Sequence, residues 1–248
     1  MLLSSSAACE VSKIACPVCE SGNIESRRFN LSLCEVCDHI FQTDLRVGVT
    51  YDARYAHKYD HFPTRRMSVL RWDLIQACLS LPARSRILDI GYGNGAFLKH
   101  VRCAGMDIFG IDVHGEDFGI PAAVYENNAS FDLICFFDSL EHFSGFENLA
   151  ELRAPHVAIS IPNRPGFLLD RPEAWRHYRP GEHLHYFSRG SLDRFMGKRS
   201  FTWKRFEGYP EDAIRGQLRI GTDVFDNIYT AIYSRGEAPR DSAATGGG

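Results

Sequence analysis

A glycine-rich turn between two short apolar runs constrains this chain more than any other feature. The first run ends in Asp89-Ile90, and the turn that follows contains Gly91, Gly93 and Gly95. Glycines permit a tight turn and a close approach of a ligand, and the helix after them presents unpaired N–H groups. The second run ends in Asp112, about 20 residues further on, where a carboxylate can accept both hydroxyls of a ribose. The pattern therefore predicts a strand–turn–helix–strand unit that binds a nucleoside cofactor.

Two kinds of nucleoside cofactor fit this turn. Gly91, Gly93 and Ala96 also satisfy the dinucleotide fingerprint G-x-G-x-x-A, which favours NAD. Asp89 favours a different cofactor, because a buried carboxylate would repel a pyrophosphate. A carboxylate at that point suits a cofactor with a cationic end, such as S-adenosylmethionine.

Two further segments accompany the turn. Phe131–His142 includes an apolar run that ends before Asp138, and Pro180–Ser188 contains the sequence Glu-His-Leu-His. Together with Asp89–Gly95, these segments resemble the class I S-adenosylmethionine-dependent methyltransferases. The third segment is similar to a signature of a bacterial subgroup that carries an N-terminal zinc ribbon and includes sugar methyltransferases. The resemblance covers about residues 14–205.

The resemblance implies a fold, a cofactor and a set of cofactor-binding residues. The fold is α/β, with a doubly wound, Rossmann-like and mostly parallel sheet of the seven-stranded type. The cofactor is S-adenosylmethionine, and the implied binding residues are Asp89, Gly91, Gly93, Gly95, Asp112 and Asp138. Asp138 is expected to contact the donor end of the cofactor, with the role of a base as its alternative.

The chain departs from the family pattern after the second apolar run. Only nineteen residues separate Asp112 from Asp132, where family members carry a helix and a third strand. We expect a loop there, with a short strand at 122–125 and an adenine contact from Glu126 or Asn127. Tyr92 also stands where family members carry a small residue. The shortened stretch leaves open a non-catalytic protein that keeps the cofactor fold.

Four cysteines near the N-terminus form two pairs. Cys16 and Cys19 are separated from Cys34 and Cys37 by fourteen residues. Four thiolates make a closed tetrahedral shell that suits Zn²⁺ and leaves no position for a catalytic water. We therefore predict a structural zinc site, because a redox role would need only one Cys-x-x-Cys pair. His39 could replace one ligand, but we expect it to be exposed to solvent.

Three histidines are candidate catalytic residues. We expect a fourth strand at Phe131–Phe137 and a fifth at Val157–Ile161. His142 follows the fourth, and His183 and His185 lie in the loop after the fifth. Both places lie at the carboxyl edge of a parallel sheet, where such folds bind ligands. A neutral imidazole can accept a proton near pH 7. The alternatives are a helix cap for His142, and structural hydrogen bonds or a metal site with Glu182 for the other two.

Composition and charge limit the class of partner. No run approaches 18 apolar residues and the N-terminus lacks the regions of a signal peptide, so we expect a cytoplasmic protein that does not enter the membrane. Residues 1–46 carry four Lys/Arg against six Asp/Glu, which argues against nucleic acid as the partner of the ribbon. Residues 151–205 carry eleven against five. This excess favours a small anionic acceptor, such as a sugar or nucleotide-linked metabolite, and keeps a nucleic-acid methyltransferase as the alternative.

The chain divides into five predicted segments. They are a mobile leader at 1–13, a zinc ribbon at 14–46, an aromatic linker and helix that cover the cofactor site at 47–84, the methyltransferase domain at 85–236 and a disordered tail at 237–248. Hydrophobic periodicity predicts a helix over Thr64–Ser80 with Met67, Leu70, Leu74, Ala77 and Cys78 on its apolar side. Late antiparallel strands are expected at Phe201–Phe206 and Ile228–Tyr233, and a short helix capped by Ser188.

Overall fold

The computed structural model describes residues 14–46, 48–49, 64–113, 130–150 and 153–236. The predictions for the leader, the aromatic segment Tyr51–Phe62, the strand at 122–125, the adenine contact from Glu126 or Asn127, and the tail lie outside the described residues.

The N-terminal segment forms a small antiparallel sheet beside the cysteine turns. Strands β1 (Ile24–Ser26), β2 (Leu31–Cys34) and β3 (Ile40–Gln42) pair in that order. The Glu20 amide donates to the Cys16 carbonyl at 2.8 Å, which closes the first turn. The Asp38 amide closes the second turn in the same way on the Cys34 carbonyl, at 2.9 Å.

The first described helix, α1 (Thr64–Cys78), covers one face of the main domain. Its buried side carries Met67, Ser68, Trp72 and Ile75. The predicted apolar side was partly wrong: Ala77 is exposed and Leu70 is only half-buried, whereas Leu74 and Cys78 are half-buried but pack against the core. The helix is rotated because Trp72 and Ile75 pack against Phe97, Leu98 and Val101, and a buried tryptophan removes more apolar area from water than the smaller side chains of the predicted stripe.

The main sheet is built around four parallel strands, and a helix connects the first two of them. In chain order these are β4 (Arg86–Ile90), α2 (Ala96–Cys103), β5 (Asp107–Ile111), β6 (Leu133–Phe137) and β7 (His156–Pro162). β4 lies between β5 and β6, and all three pairings from β5 to β7 are parallel. This order brings the carboxyl ends of β4, β5 and β6 to one edge.

The remaining elements are β8 (His185–Tyr186), α3 (Arg189–Gly197), β9 (Trp203–Gly208), α4 (Asp212–Arg215), β10 (Leu218–Ile220), β11 (Asp223–Phe225) and β12 (Ile228–Ser234). Among them, β12 and β9 complete the sheet, β8 joins the ribbon to the main domain, and β10 pairs with β11 in a separate two-stranded sheet. β12 pairs antiparallel with both β7 and β9. The six strands described in this sheet have the order β5-β4-β6-β7-β12-β9, so the predicted α/β class with a mostly parallel sheet is confirmed.

Two local predictions are also confirmed. Ser188 caps α3, since its Oγ accepts from the Ser191 amide at 3.2 Å and its own amide donates to Ser191 Oγ at 2.9 Å. The late antiparallel strands are β9 and β12. Within the described ranges, none of the helices combines the length and the apolar character that a membrane span needs.

The cysteine-bearing sheet is continuous with a loop of the main domain. β8 pairs antiparallel with β3, Ile40 opposite Tyr186 and Phe41 opposite His185. Gln42 reinforces the junction, because its Nε2 donates to the His183 carbonyl at 2.7 Å. The loop that contains the candidate histidines is therefore held in part by the N-terminal segment.

Candidate functional site

The glycine turn begins where β4 ends. Gly91, Gly93 and Gly95 have φ angles of +80°, +56° and +70°, which favour glycine over every other residue. A Cβ on Gly91 would lie 2.4 Å from Ser139 Cβ, so no side chain fits there. Ser139 follows β6 and donates from its Oγ to the Ile90 carbonyl at 2.6 Å. The close approach of two chain segments explains the first glycine.

Asp112 lies beside this turn at the end of β5. The Gly93 amide donates to Asp112 Oδ2 at 2.9 Å, and the Gly91 amide donates to the Ile111 carbonyl at 2.7 Å. The predicted ribose-binding carboxylate and the predicted glycine cradle are therefore in direct contact. Tyr92 is buried within the turn and packs over Gly110, where a Cβ would lie 2.7 Å from its ring. Tyr92, which stands where family members carry a small residue, fits here because Gly110 of β5 has no side chain to collide with its ring.

Asp89 is buried under the turn with an incomplete set of partners. It is 2% exposed, and its Oδ1 has no hydrogen-bond partner among the residues that the structure describes. Burial raises the pKa of Asp89 to about 7; Arg71 opposes the rise and Asp112 adds to it. A cationic group would supply the missing partner, whereas a pyrophosphate would add repulsion. The site therefore fits S-adenosylmethionine, which has an ammonium group, better than NAD.

Asp138 stands at the end of β6 in an ion-pair network that no sequence motif indicates. Its Oδ2 accepts from Arg71 Nη2 at 2.9 Å and from Arg215 Nη2. Arg71 Nε also donates to the buried Glu211 at 2.7 Å. Burial acts to raise the pKa of Asp138, but Arg215 and Arg71 outweigh it and hold the pKa well below its usual range. Asp138 is therefore an ionised group oriented by two guanidinium groups, and a poor proton acceptor.

His142 and His183 meet at the same edge of the sheet. Their ring centroids are 4.6 Å apart with the rings nearly perpendicular. Burial lowers the pKa of both residues, so both are neutral at pH 7. The His142 side chain is 16% exposed and the His183 side chain 6%, so a ligand would reach His142 first. Two of the three predicted histidines are thus brought together.

His185 has a different environment, and its predicted catalytic role is not supported. Its Nε2 lies 2.9 Å from the Phe143 carbonyl, which can only accept, so Nε2 carries the proton. Its Nδ1 then accepts from His39 Nε2 at 3.1 Å. Both ring nitrogens are occupied inside the core, and burial lowers the pKa of His185 to about 3. His39 is itself fully buried, so the prediction that it is exposed was wrong: it joins the ribbon to this loop.

The four predicted zinc ligands converge. Cys16 Sγ lies 3.6 Å from Cys37 Sγ, and Cys19 Sγ lies 3.5 Å from Cys34 Sγ. All four sulfur atoms lie within 4.8 Å of one another. A tetrahedral zinc with Zn–S bonds of about 2.3 Å needs sulfur separations of about 3.8 Å, so the donor set and its spacing fit that ion.

Part of the basic excess in residues 151–205 faces the acidic ribbon. Arg164 pairs with Asp38, and Lys198 Nζ lies 2.6 Å from Glu20 Oε1. Arg179 is paired within its own loop, 2.7 Å from Glu182. These contacts explain some of the charge that sequence analysis attributed to an anionic acceptor or to nucleic acid.

A buried histidine next to the candidate site predicts a pH-dependent stability. His177 Nε2 lies 2.8 Å from Asn227 Oδ1, and burial lowers the pKa of His177 to about 4. Since an unfolded histidine titrates near about 6.5, this group stabilises the fold above about pH 6.5, and the stabilisation is lost as the pH falls toward about 4.

We expect the native protein to lose about 1 kcal/mol more unfolding free energy per pH unit in that window than His177→Gln. Glutamine keeps an N–H donor for Asn227 and does not titrate. Urea unfolding at about pH 6.5 and about pH 5 measures the difference. Equal losses in the two proteins would contradict the burial of a neutral imidazole.

A family profile described as "Methyltransferase domain" matches residues 55–203 of the sequence. No curated protein matches it. The matched range contains the glycine turn, Asp112, Asp138, the two apposed histidines and α3.

Several solved structures are similar to this one. One is geranyl diphosphate C-methyltransferase from Streptomyces coelicolor, solved with Mg²⁺, geranyl diphosphate and S-adenosyl-L-homocysteine. It has a TM-score of 0.50 and 13% sequence identity, and the alignment covers 78% of this chain and 88% of that enzyme. The 1,6-didemethyltoxoflavin-N1-methyltransferase from Burkholderia thailandensis has a TM-score of 0.49 at 12% identity, covering 81% and 96%. An S-adenosylmethionine-dependent methyltransferase from Archaeoglobus fulgidus has a TM-score of 0.49 at 15% identity, covering 74% and 100%. At 13% identity, the similarity to the geranyl diphosphate enzyme shows a shared fold.

Proposed function

Because this chain belongs to the methyltransferase-domain family of S-adenosylmethionine-dependent enzymes, we propose that it methylates a small acceptor held between the glycine turn and the His142–His183 pair. The observation that carries the proposal is Asp89, a buried carboxylate directly beneath a turn of three left-handed glycines, whose Oδ1 has no hydrogen-bond partner in the part of the chain that the structure describes. That arrangement is suited to the cationic end of the cofactor. The match over residues 55–203 also favours an enzyme over a non-catalytic protein.

The proposed cofactor-binding residues lie along one edge of the sheet, and each contacts a different part of the cofactor. Gly91, Gly93 and Gly95 let the backbone approach the nucleoside, and Asp112 accepts the ribose hydroxyls. Asp89 pairs with the ammonium group. Asp138, oriented by its two arginines, contacts the donor end of the cofactor. When bound, S-adenosylmethionine supplies an electrophilic methyl group on a sulfonium sulfur.

The chain would contribute alignment and activation of the acceptor. Holding two reactants in line can lower a barrier by about 7–11 kcal/mol. Acceptor activation is assigned to the edge formed by His142 and His183, because both imidazoles are neutral at pH 7 and meet there. Asp138 is not assigned as the base, since its pKa lies well below the usual range. His185 is left out because both of its ring nitrogens are already bonded.

The proposed acceptor is a small molecule, such as a sugar or a nucleotide-linked metabolite. Nucleic acid is disfavoured because the ribbon is acidic and because two of the cations in residues 151–205, Arg164 and Lys198, pair with it. The neighbours described above act on geranyl diphosphate and on 1,6-didemethyltoxoflavin by their names, so related folds accept small molecules.

The four cysteines are proposed to hold one structural zinc ion. Their sulfur atoms already have the spacing of a tetrahedral thiolate shell, and the residues present leave no place in it for a catalytic water. A cytoplasmic location is also proposed, because zinc-binding cysteines must stay reduced and the cytoplasm keeps thiols reduced.

The test is a transfer assay with methyl-labelled S-adenosylmethionine and a panel of phosphorylated sugars, nucleotide-sugars and neutral sugars. With the acceptor that the native protein labels, the His142→Gln variant is expected to have a kcat lower by about 100-fold or more and an unchanged Kd for the cofactor. His100→Gln, on α2, serves as the matched control and is expected to retain activity. Full activity in His142→Gln would overturn the assignment of this edge.

A further inference from the structure

Glu141 is the most poorly accommodated polar side chain at the edge of the sheet. It is 2% exposed, and neither of its carboxylate oxygens has a hydrogen-bond partner among the described residues. A buried carboxylate without a partner is strongly unfavourable. A protein that keeps one in its core therefore has a use for it.

Two imidazoles lie next to this carboxylate. One ligand atom from each of Glu141, His142 and His183 can be chosen so that all three lie within 4.8 Å of one another. His142 Nε2 is 3.9 Å from Glu141 Oε1. The Glu182 carboxylate is also near, 4.0 Å from His183 Nε2, but Arg179 holds it at 2.7 Å. The metal set considered from sequence, Glu182 with His183 and His185, is therefore replaced by a different one.

The backbone fixes these three residues in place. Glu141 and His142 form a single 3-10 turn, Leu140–His142, directly after β6. The Leu184 amide donates to the Glu141 carbonyl at 2.8 Å, and Gln42 holds the His183 carbonyl from the ribbon. Such rigid support is what a preorganised ligand set needs.

We propose that Glu141, His142 and His183 bind a divalent first-row transition-metal ion with an open coordination position. Two imidazoles and one carboxylate suit ions such as Zn²⁺, Fe²⁺ and Co²⁺, and three protein ligands leave room for water or an acceptor oxygen. Ligand bonds of about 2.1 Å require side-chain movements of about 1 Å from the present positions. The ion would supply the partner that Glu141 lacks.

Metal binding at this site does not depend on the proposed methyl transfer. Use of the open position by the acceptor does rest on it. With the ion bound, both imidazoles are ligands, so acceptor activation at this edge would come from coordination of an acceptor oxygen and not from a free imidazole. The two ideas are separable, because metal content is measured without cofactor or acceptor.

The experiment is a metal count on the full chain after incubation with excess Zn²⁺ and removal of unbound metal. We expect two zinc ions per chain, one in the cysteine site and one at Glu141, and one ion in Glu141→Gln. Glu147→Gln, an exposed carboxylate in the next 3-10 turn, is the matched control and is expected to keep two. One ion in the native chain, or two in Glu141→Gln, would overturn the proposal.

Thermal unfolding separates metal loss from misfolding. The Glu141→Gln substitution replaces a buried carboxyl group with an amide of the same size that cannot ionise, so without added metal its Tm is expected to equal or exceed that of the native chain. Added Zn²⁺ is expected to raise the Tm of the native chain and of Glu147→Gln but not of Glu141→Gln. An equal rise in all three would contradict the site, as would no rise in the native chain. If Glu141→Gln fails to fold, the half-buried His142→Gln provides the same comparison.

Discussion

Replacing Asp112 with alanine is expected to weaken binding of S-adenosylmethionine by about 100-fold or more while leaving the fold intact. Two hydrogen bonds from ribose hydroxyls to an ionised carboxylate contribute about 3 kcal/mol or more, which corresponds to that factor. Asp112 sits at the end of β5 in contact with the Gly93 amide, so the carboxylate and the glycine cradle are positioned together. Calorimetric titration with the cofactor measures the effect.

Two variants separate loss of the ribose contact from damage to the turn. Asp107→Ala changes an aspartate at the other end of the same strand and is expected to keep the native affinity. Asp112→Asn keeps an oxygen that can accept from the Gly93 amide but loses an acceptor for the ribose. It is therefore expected to bind as weakly as Asp112→Ala. Native affinity in Asp112→Asn would mean that the residue only supports the turn.

Removing the metal from the cysteine site is expected to unfold the ribbon and to inactivate the enzyme with little change in cofactor affinity. Binding of structural zinc in small zinc modules contributes about 10–16 kcal/mol, more than a segment of this size obtains from its own core. The ribbon shares β3 with β8, and His39 and Gln42 bind the loop of His183 and His185. The loop that carries His183 therefore loses its support from the ribbon. The glycine turn and Asp112, which bind the cofactor at the ends of β4 and β5, keep theirs.

Cys34→Ser tests this effect, because Cys34 is fully buried in the cluster. The variant is expected to lose one metal ion per chain and amide protection over 14–46 and 183–187. Cys103→Ser, an exposed cysteine on α2, is the control and is expected to change neither. An unchanged metal count in Cys34→Ser, or iron as the metal that this variant loses, would contradict the assignment.

The sequence was sufficient wherever the chemistry is local. The glycine turn required left-handed backbone at Gly91, Gly93 and Gly95, and the Ser188 cap and the two cysteine turns depend on residues a few positions apart. The parallel strands that lead to Asp112 and Asp138 could also be predicted. Each is a short apolar run followed by an acidic residue, and this local pattern marks the carboxyl end of a parallel strand. The fold class follows from these elements.

What the sequence could not predict depends on residues far apart in the chain. Arg71 contacts Asp138 and Glu211 across 67 and 140 positions, and His39 contacts His185 across 146. No spacing rule connects such residues, so His39 was placed in solvent and its contact with His185 was not predicted. The rotated face of α1 has the same origin, because the partner of Trp72 is a different helix.

The most direct test of the central claim is calorimetric titration of the full-length protein with S-adenosylmethionine. We predict saturable binding of one molecule per chain, abolished by prior saturation with S-adenosylhomocysteine. Absence of binding at millimolar cofactor, by a chain whose folding is verified by circular dichroism, would contradict it.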